Sequence, residues 1–164
     1  MALHFHQLKV KNIKRETPDC VSVSFEIPEQ LMKEFAFTQG QSLTLRNIIE
    51  GEEIRRSYSI CSTPSEGELR VAVKKVNGGL FSTFANNKLK VGDILDVMTP
   101  SGNFYTELDP FNKKNYLAFA AGSGITPVIS IIKATLITEP KSTFTLVFGN
   151  KNHTSIIFKE ELEA

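Results

Sequence analysis

The sequence predicts an all-β, six-stranded antiparallel Greek-key barrel with one short helix, followed by the beginning of an α/β unit with a parallel sheet. Three observations carry this expectation. Residues 5–98 hold six short runs that alternate apolar and polar side chains, separated by turn chemistry, and such a series favours a small antiparallel barrel or sandwich. After Pro110 and the polar Asn112-Lys113-Lys114-Asn115 the period changes to apolar run, glycine turn, helical repeat and apolar run. The two late apolar runs are continuous rather than alternating, as in parallel strands buried on both faces. The expected division is therefore residues 1–110 and residues 111–164.

In chain order, residues 5–10 and 21–25 alternate as half-buried strands, and Pro28 ends the second. Gly40 introduces a third strand at 41–46, and Glu50-Gly51-Glu52 turns the chain into 54–60. The Thr63-Pro64 pair closes that strand, Glu66-Gly67 turns again into 69–76, and Gly92-Asp93 opens 94–98. One helix interrupts the series over 82–89, where Phe81, Phe84, Ala85 and Leu89 recur at helical spacing behind Gly78-Gly79. Ser82 is expected to cap it or to bond a phosphate.

In the second unit, Ala121-Gly122-Ser123-Gly124 is a tight turn that lets a ligand approach the backbone closely. Thr126 is expected as the N-cap of the next helix and Pro127 as its first residue, with Val128, Ile131, Ile132 and Leu136 on its buried face and Pro140 as its stop. Residues 144–148 form the next strand. Thr154 or Ser155 then caps a further helix through Ile156, Ile157, Phe158 and Leu162. Glu160, Glu161 and Glu163 suit the first turns of a longer helix, because acidic side chains oppose the dipole at a helix C-terminus. The stretch from Asn115 onward is also shorter than the ~100 residues a domain usually needs. The expectation is a truncated second unit that leaves Ile131, Ile132, Leu136 and residues 156–158 without neighbours and open to self-association.

Composition narrows the function classes. With 41% hydrophobic residues and a net charge of +1 over 164 residues, nothing points to disorder or to a nucleic-acid partner. Cys20 and Cys61 have neither metal-ligand nor disulfide-framework spacing, and His4, His6 and His153 form no cluster, so no metal is expected. The start lacks a secretory pattern and no run approaches the ~20 apolar residues of a membrane span, so the reading is a cytoplasmic protein without a membrane partner.

The chemistry concentrates in Arg56-Ser57-Tyr58-Ser59-Ile60. On a strand, Arg56, Tyr58 and Ile60 share one face and Ser57 and Ser59 the other. A planar guanidinium suits a diphosphate and a phenol face suits a flat heterocycle, which together describe a nucleotide ending in a ring system such as a flavin. The plain alternative is an ordinary sheet surface. Gly78-Gly79 ahead of a helix offers free N–H groups to an anion, with a capped structural helix as its alternative. The glycines at 122 and 124 fall short of a full G-x-G-x-x-G pattern.

Taken together, these residues resemble the ferredoxin–NADP reductase superfamily. Arg56-Ser57-Tyr58-Ser59 is similar to its R-x-Y-S/T flavin motif, Gly79-Leu80-Phe81-Ser82 to its G-x-x-S phosphate motif, and Gly122-Ser123-Gly124-Ile125-Thr126-Pro127 to its G-x-G-x-T-P nicotinamide motif. The stretches 52–61 and 143–150 resemble the reductase components of bacterial phenylacetyl-CoA epoxidase systems in particular. The resemblance implies FAD as cofactor and NAD(P)H as electron donor. It implies that Arg56 and Ser57 lie along the flavin nucleotide, with Arg56 on the pyrophosphate, and that Tyr58 stacks on the isoalloxazine while Ser59 bonds its reactive nitrogen. Tyr58 and Ser59 are then the catalytic pair. Ala72, Val73 and Lys74 run along the adenosine half, and Gly79, Leu80, Phe81 and Ser82 hold the pyrophosphate. Gly122, Gly124, Thr126 and Pro127 receive the nicotinamide nucleotide, with Thr126 also near the flavin edge.

By the same resemblance the electrons pass to a ferredoxin-type iron–sulfur domain and an oxygenase component in phenylacetate, hence aromatic, degradation. Two cysteines cannot hold a cluster, so any iron–sulfur centre belongs to a missing domain or a partner. Lys151 follows the second apolar run, where an acid favours NADH, and this leans the reading to NADPH. The competing readings are a binding-only barrel, separated by the absence of flavin colour, and a siderophore-linked flavoreductase of the same superfamily.

Overall fold

The computed structural model describes residues 4–164. Six strands build one antiparallel sheet: β1 (His6–Thr17), β2 (Cys20–Glu26), β3 (Ser42–Ile49), β4 (Glu52–Ser59), β5 (Leu69–Lys74) and β6 (Ile94–Val97), in the spatial order β4-β3-β6-β1-β2-β5. The edge strands meet at Ile60 and Val71, which closes the sheet into the expected barrel. Each strand sends alternate side chains inward, so Leu8 and Val10, Val21 and Val23, Leu43 and Leu45, Val71 and Val73, and Leu95 and Val97 fill one core. Glu50 and Gly51, both at positive φ, make the two-residue β3–β4 turn whose twist matches an antiparallel hairpin.

Gly40 is fixed by sterics rather than by sequence pattern alone. Its φ is +86°, and a Cβ there would stand 1.9 Å from the Phe104 carbonyl oxygen. The chain crossing at residue 104 therefore lies directly on the entry to β3.

The helix α1 (Leu80–Asn87) begins two residues earlier than the periodicity predicts, and its N-cap is Gly79 rather than Ser82. The reason is that the Ser82 hydroxyl is fully engaged below the helix entrance, with the Val76 N–H and the Gly79 carbonyl. Among the described residues no helix is long and apolar enough to cross a membrane.

The second unit contains β7 (Asn115–Ala121), a 3-10 turn at Gly122–Gly124, α2 (Ile125–Thr138) and β8 (Thr143–Gly149), with β7 and β8 parallel and in register from Asn115↔Thr143 to Ala121↔Gly149. Four expectations need correction. The strands are covered on one face only: Tyr116, Ala118, Ala120, Phe144, Leu146 and Phe148 turn toward α2, while Leu117, Phe119 and Val147 are exposed. Thr126 does not cap α2 and Pro127 is not its first residue, because the 3-10 turn runs directly into the helix at Ile125. The buried face of α2 is built on Ile125, Val128 and Ile129, with Leu136 turned outward, since α2 packs at once on its own sheet and on the barrel. Finally, Asn152 rather than Thr154 or Ser155 caps a 3-10 turn (His153–Ser155), and only Lys159–Glu163 is helical (α3).

Phe158 adopts φ +61° at the entrance of α3, which turns Ile157 and Phe158 into the seam between barrel and second unit. There they pack with Cys20, Cys61 and Ala72 of the barrel and with Ile125, Val128 and Ile129 of α2. The stretch 156–158 is thus not the bare surface the sequence implies. The exposed large apolar side chains described in this unit are Leu117, Phe119 and Val147 on the outer face of β7–β8, Leu136 and Ile137 at the end of α2, and Phe111 ahead of β7.

The connection between the units is clasped by one carboxylate. Glu139, completely buried at the end of α2, accepts hydrogen bonds from the Asp109 N–H (3.1 Å), Asn112 Nδ2 (2.8 Å), Tyr116 OH (2.8 Å) and Ser142 Oγ (2.8 Å). Burial alone would raise its pKa, but these donors outweigh it and bring the carboxyl down to about 2.

This packing makes two stability differences measurable. Gly51→Ala should lose about 1–2 kcal/mol, the cost of an L side chain at positive φ, whereas Gly40→Ala should lose clearly more because a carbonyl blocks its Cβ. Denaturant melts of the two variants make the comparison. For Glu139, a folded-state pKa below the unfolded one gives stabilisation that is complete above about pH 4.5 and drains away as the pH falls toward 2. The stability advantage of the native chain over Glu139→Gln should therefore shrink through that window in thermal melts. An advantage independent of pH would show that the carboxylate is not the clasp.

Candidate functional site

Strand β4 carries the densest set of polar and aromatic groups. Its register sets Arg56 opposite Leu45, Ser57 opposite Thr44, Tyr58 opposite Leu43 and Ser59 opposite Ser42. Tyr58 is half-buried against the barrel core, with its ring 5.7 Å from that of Phe81 on α1 at a tilt of 35°. Burial pushes its phenol up to about 12 against the pull of Arg56, so Tyr58 stays neutral and offers a ring face rather than a charge. Ser57 points away and shares a 2.8 Å hydrogen bond with Thr44 Oγ1. Ser59 is half-buried.

The arginines of this region differ in their partners. Arg46 is held by Asp96 at 2.7 and 3.0 Å, and Arg55 Nε donates to Glu53 at 2.8 Å. Arg56 is exposed, and among the described residues its guanidinium bonds only the Arg55 carbonyl, from Nη1 at 2.7 Å. Among the described residues no carboxylate lies within ion-pair distance of it. The cation of the motif is the one left unneutralised.

The entrance to α1 is arranged around Ser82. Its Oγ accepts from the Val76 N–H at 3.0 Å and donates to the Gly79 carbonyl at 3.3 Å, and a Cβ on Gly79 would meet that same oxygen at 2.6 Å. Ser82 thus shapes the loop, while the first-turn N–H groups beyond Gly79 have no intrahelical acceptor. Leu80 is half-buried and Phe81 is buried beneath Tyr58.

Strand β5 splits the next predicted group. Val73 lies in the barrel core, Ala72 faces the seam, and Lys74 reaches the glycine turn, where a Cβ on Gly122 (φ +52°) would stand 3.2 Å from Nζ. Lys74 lines two adjoining cavities. One, of about 500 Å³, also holds Asp19, Lys75, Asn77 and Lys151; the other, of about 570 Å³, is bounded by Gly122, Ser123, Asn150 and Lys151. The buried Asn150 Oδ1 has no hydrogen-bond partner there. The sequence does not single out Lys75 or Asn150 as site residues, because the cavities they line form only between segments far apart in the chain.

Thr126 is buried and donates to the Ser123 carbonyl at 2.9 Å, fastening the turn, and Gly124 faces open space. Pro127 is half-buried beside it. The structure therefore sets Tyr58 against Phe81 of α1, with Arg56 two residues earlier on the same strand, and brings Lys74 to Gly122. No hydrogen bond joins Thr126 or Pro127 to β4 among the described residues. The thiols are not reactive candidates: burial pushes Cys20 up to about 12 and Cys61 higher still. Among the described residues no group of three or more His, Cys, Asp and Glu side chains could hold a metal ion.

Residues 7–105 match the oxidoreductase FAD-binding domain family, and residues 119–164 match the oxidoreductase NAD-binding domain family. The chain belongs to the ferredoxin–NADP reductase family. It is 45% identical over 158 residues to a 1,2-phenylacetyl-CoA epoxidase subunit from Escherichia coli K12, covering 96% of this chain and 44% of that protein. It is 38% identical over 160 residues to the ferredoxin reductase component of 3-ketosteroid-9-alpha-monooxygenase of Rhodococcus rhodochrous, again covering 96% and 44%. The chain thus spans less than half the length of these two relatives. Among solved structures, phthalate dioxygenase reductase superposes with a TM-score of 0.78 at 27% identity, covering 98% of this chain and 48% of that one. The FAD/NAD-binding part of nitric oxide dioxygenase from Vibrio cholerae gives 0.80 at 25% identity, covering 96% and 67%.

FAD is the cofactor of this family's first module, and the residues present suit it. An unneutralised guanidinium, free helix N–H groups and a half-exposed phenol ring stand on adjoining elements.

Proposed function

We propose that this chain is the flavin module, residues 1–110, and the opening part of the nicotinamide module, residues 111–164, of a reductase that passes electrons from NAD(P)H to a ferredoxin-type iron–sulfur centre and on to an oxygenase in phenylacetate breakdown. The observation that carries the flavin reading is Arg56, left without a carboxylate two residues before Tyr58 on β4, whose ring meets Phe81 of α1. The extended similarity to the phenylacetyl-CoA epoxidase component favours the choice of acceptor and of pathway class. The buried free thiols suit a reducing compartment, consistent with the cytoplasm.

Bound FAD supplies the change from two-electron to one-electron transfer, taking a hydride from NAD(P)H and giving its electrons up singly. The chain's own residues do the rest by binding and positioning. In this reading Arg56 and the N–H groups of Leu80 and Phe81 hold the pyrophosphate, with the main chain of Ser57 alongside and Gly79 and Ser82 keeping the loop in shape. Tyr58 covers one face of the ring system and excludes water. Ser59 would hydrogen-bond, through its hydroxyl, the ring nitrogen at which hydride arrives. The Ala72 and Val73 backbone and the Lys74 ammonium run along the adenosine half. Gly122 and Gly124 leave room for the nicotinamide nucleotide, and Thr126 and Pro127 set the ring edge it approaches.

Replacing Arg56 by Ala should weaken FAD binding by about 1.5–3 kcal/mol, the range for a charge-assisted contact, which is roughly a tenfold to hundredfold loss of affinity. Flavin retained as tightly as in the native chain through dilution and gel filtration would remove Arg56 from the site. Tyr58→Ala should keep the barrel folded while shifting the visible flavin bands and the midpoint potential, because water then reaches the ring. An unchanged spectrum and potential exclude the stacking role.

A further inference from the structure

The outward side chains of β5 are Arg70, Ala72 and Lys74, and all three face the second unit. At the far end from Lys74, Arg70 makes a two-pronged contact with Glu161 of α3: Nη1 to Oε1 at 2.9 Å and Nη2 to Oε2 at 3.1 Å. Lys133 of α2 donates to the same carboxylate at 2.6 Å and also to Glu66 of the barrel at 2.6 Å. Glu68 stands 3.6 Å from Arg70 Nε. The Arg70 and Glu161 side chains are only 14% and 19% exposed, so solvent screens this contact less than an ordinary surface pair.

Two features make this cluster more than a surface decoration. It joins barrel and second unit with charges of alternating sign, and Glu161 is the group that both cations share. It also leads by main-chain contact to the flavin motif, because the Arg70 carbonyl accepts the Cys61 N–H at 2.9 Å two residues after Ser59. Below it, Ser130 of α2 donates to the Ser62 carbonyl at 2.6 Å. A bidentate guanidinium–carboxylate pair fixes orientation as well as distance, which a Lys pair alone does not.

We propose that Glu161 is a positioning residue: clasped by Arg70 and Lys133, it fixes the glycine turn at 122–124 relative to strand β4, and so sets the approach of the nicotinamide nucleotide to the flavin from a place that touches neither. The kinetic side of this proposal rests on the function proposed above; the geometric side does not.

The test labels the chain with spin probes at Asn87→Cys and Thr145→Cys, exposed positions on α1 and β8, the native cysteines being buried. The native background should give one narrow inter-probe distance. Glu161→Gln should broaden it and shift it, Glu161→Asp should restore much of it, and Lys133→Met should repeat the broadening. Lys133→Met keeps the proposal testable if Glu161→Gln fails to fold, as judged by circular dichroism. In the FAD-loaded chain, flavin reduction by NADPH or NADH should slow by roughly tenfold to a hundredfold in Glu161→Gln with FAD affinity unchanged. Unchanged distance distributions in both Glu161→Gln and Lys133→Met overturn the proposal. A native chain that takes up no FAD overturns the flavin reading instead, and the distance measurement still decides the role of Glu161.

Discussion

Strand β5 is held by both of its faces, and most of the arrangement depends on that. Leu69, Val71 and Val73 complete the barrel core, while Arg70, Ala72 and Lys74 meet the second unit at its ionic cluster, its apolar seam and its glycine turn. Because side chains alternate strictly, a slip of one residue would exchange the two sets, burying two cations in the barrel and leaving the seam without Ala72. The antiparallel ladder to β2, from Cys20↔Lys74 to Phe25↔Leu69, fixes the register. The barrel is therefore also the template on which the nicotinamide side is mounted.

Charge is distributed to the same end. Arg46, Arg55 and Arg70 each have carboxylate partners, whereas Arg56 has a carbonyl alone. A lone exposed cation contributes little to stability, and this agrees with the ligand contact proposed for Arg56. The site's hydroxyls are divided in a similar way. Ser82 and Thr126 bond their own loops and hold the glycine turns in shape, and the backbone of those turns is what remains available to an anion.

The seam joins the units by two different means. Ile157 and Phe158 supply non-directional apolar contact with Cys20, Cys61 and Ala72, and the Glu161 cluster supplies direction. Glu139 does for the connecting segment what Glu161 does for the seam, using hydrogen-bond donors in place of cations. Both carboxylates are pulled below their usual range, against the effect of burial, by the groups that surround them.

The sequence by itself determined the six barrel strands, the parallel β7–β8 pair and the three motifs, because alternation, glycine turns and proline stops are local and their period follows from backbone geometry. It located Arg56 and Tyr58 on one face and Gly122 in a turn for the same reason. Only the tertiary structure decided which apolar residues of α2 are buried, since Val128 and Ile129 answer to a sheet and a barrel at once and Leu136 to neither. It likewise turned 156–158 from a helix into a seam plug: helical propensity there is worth less than burying Ile157 and Phe158, and φ at Phe158 gives way. It left one face of β7–β8 open, although the continuous apolar runs read as doubly covered. And it paired Arg70 with Glu161 across 91 residues of sequence, a contact that no period or motif encodes because it exists only where two separately specified units meet.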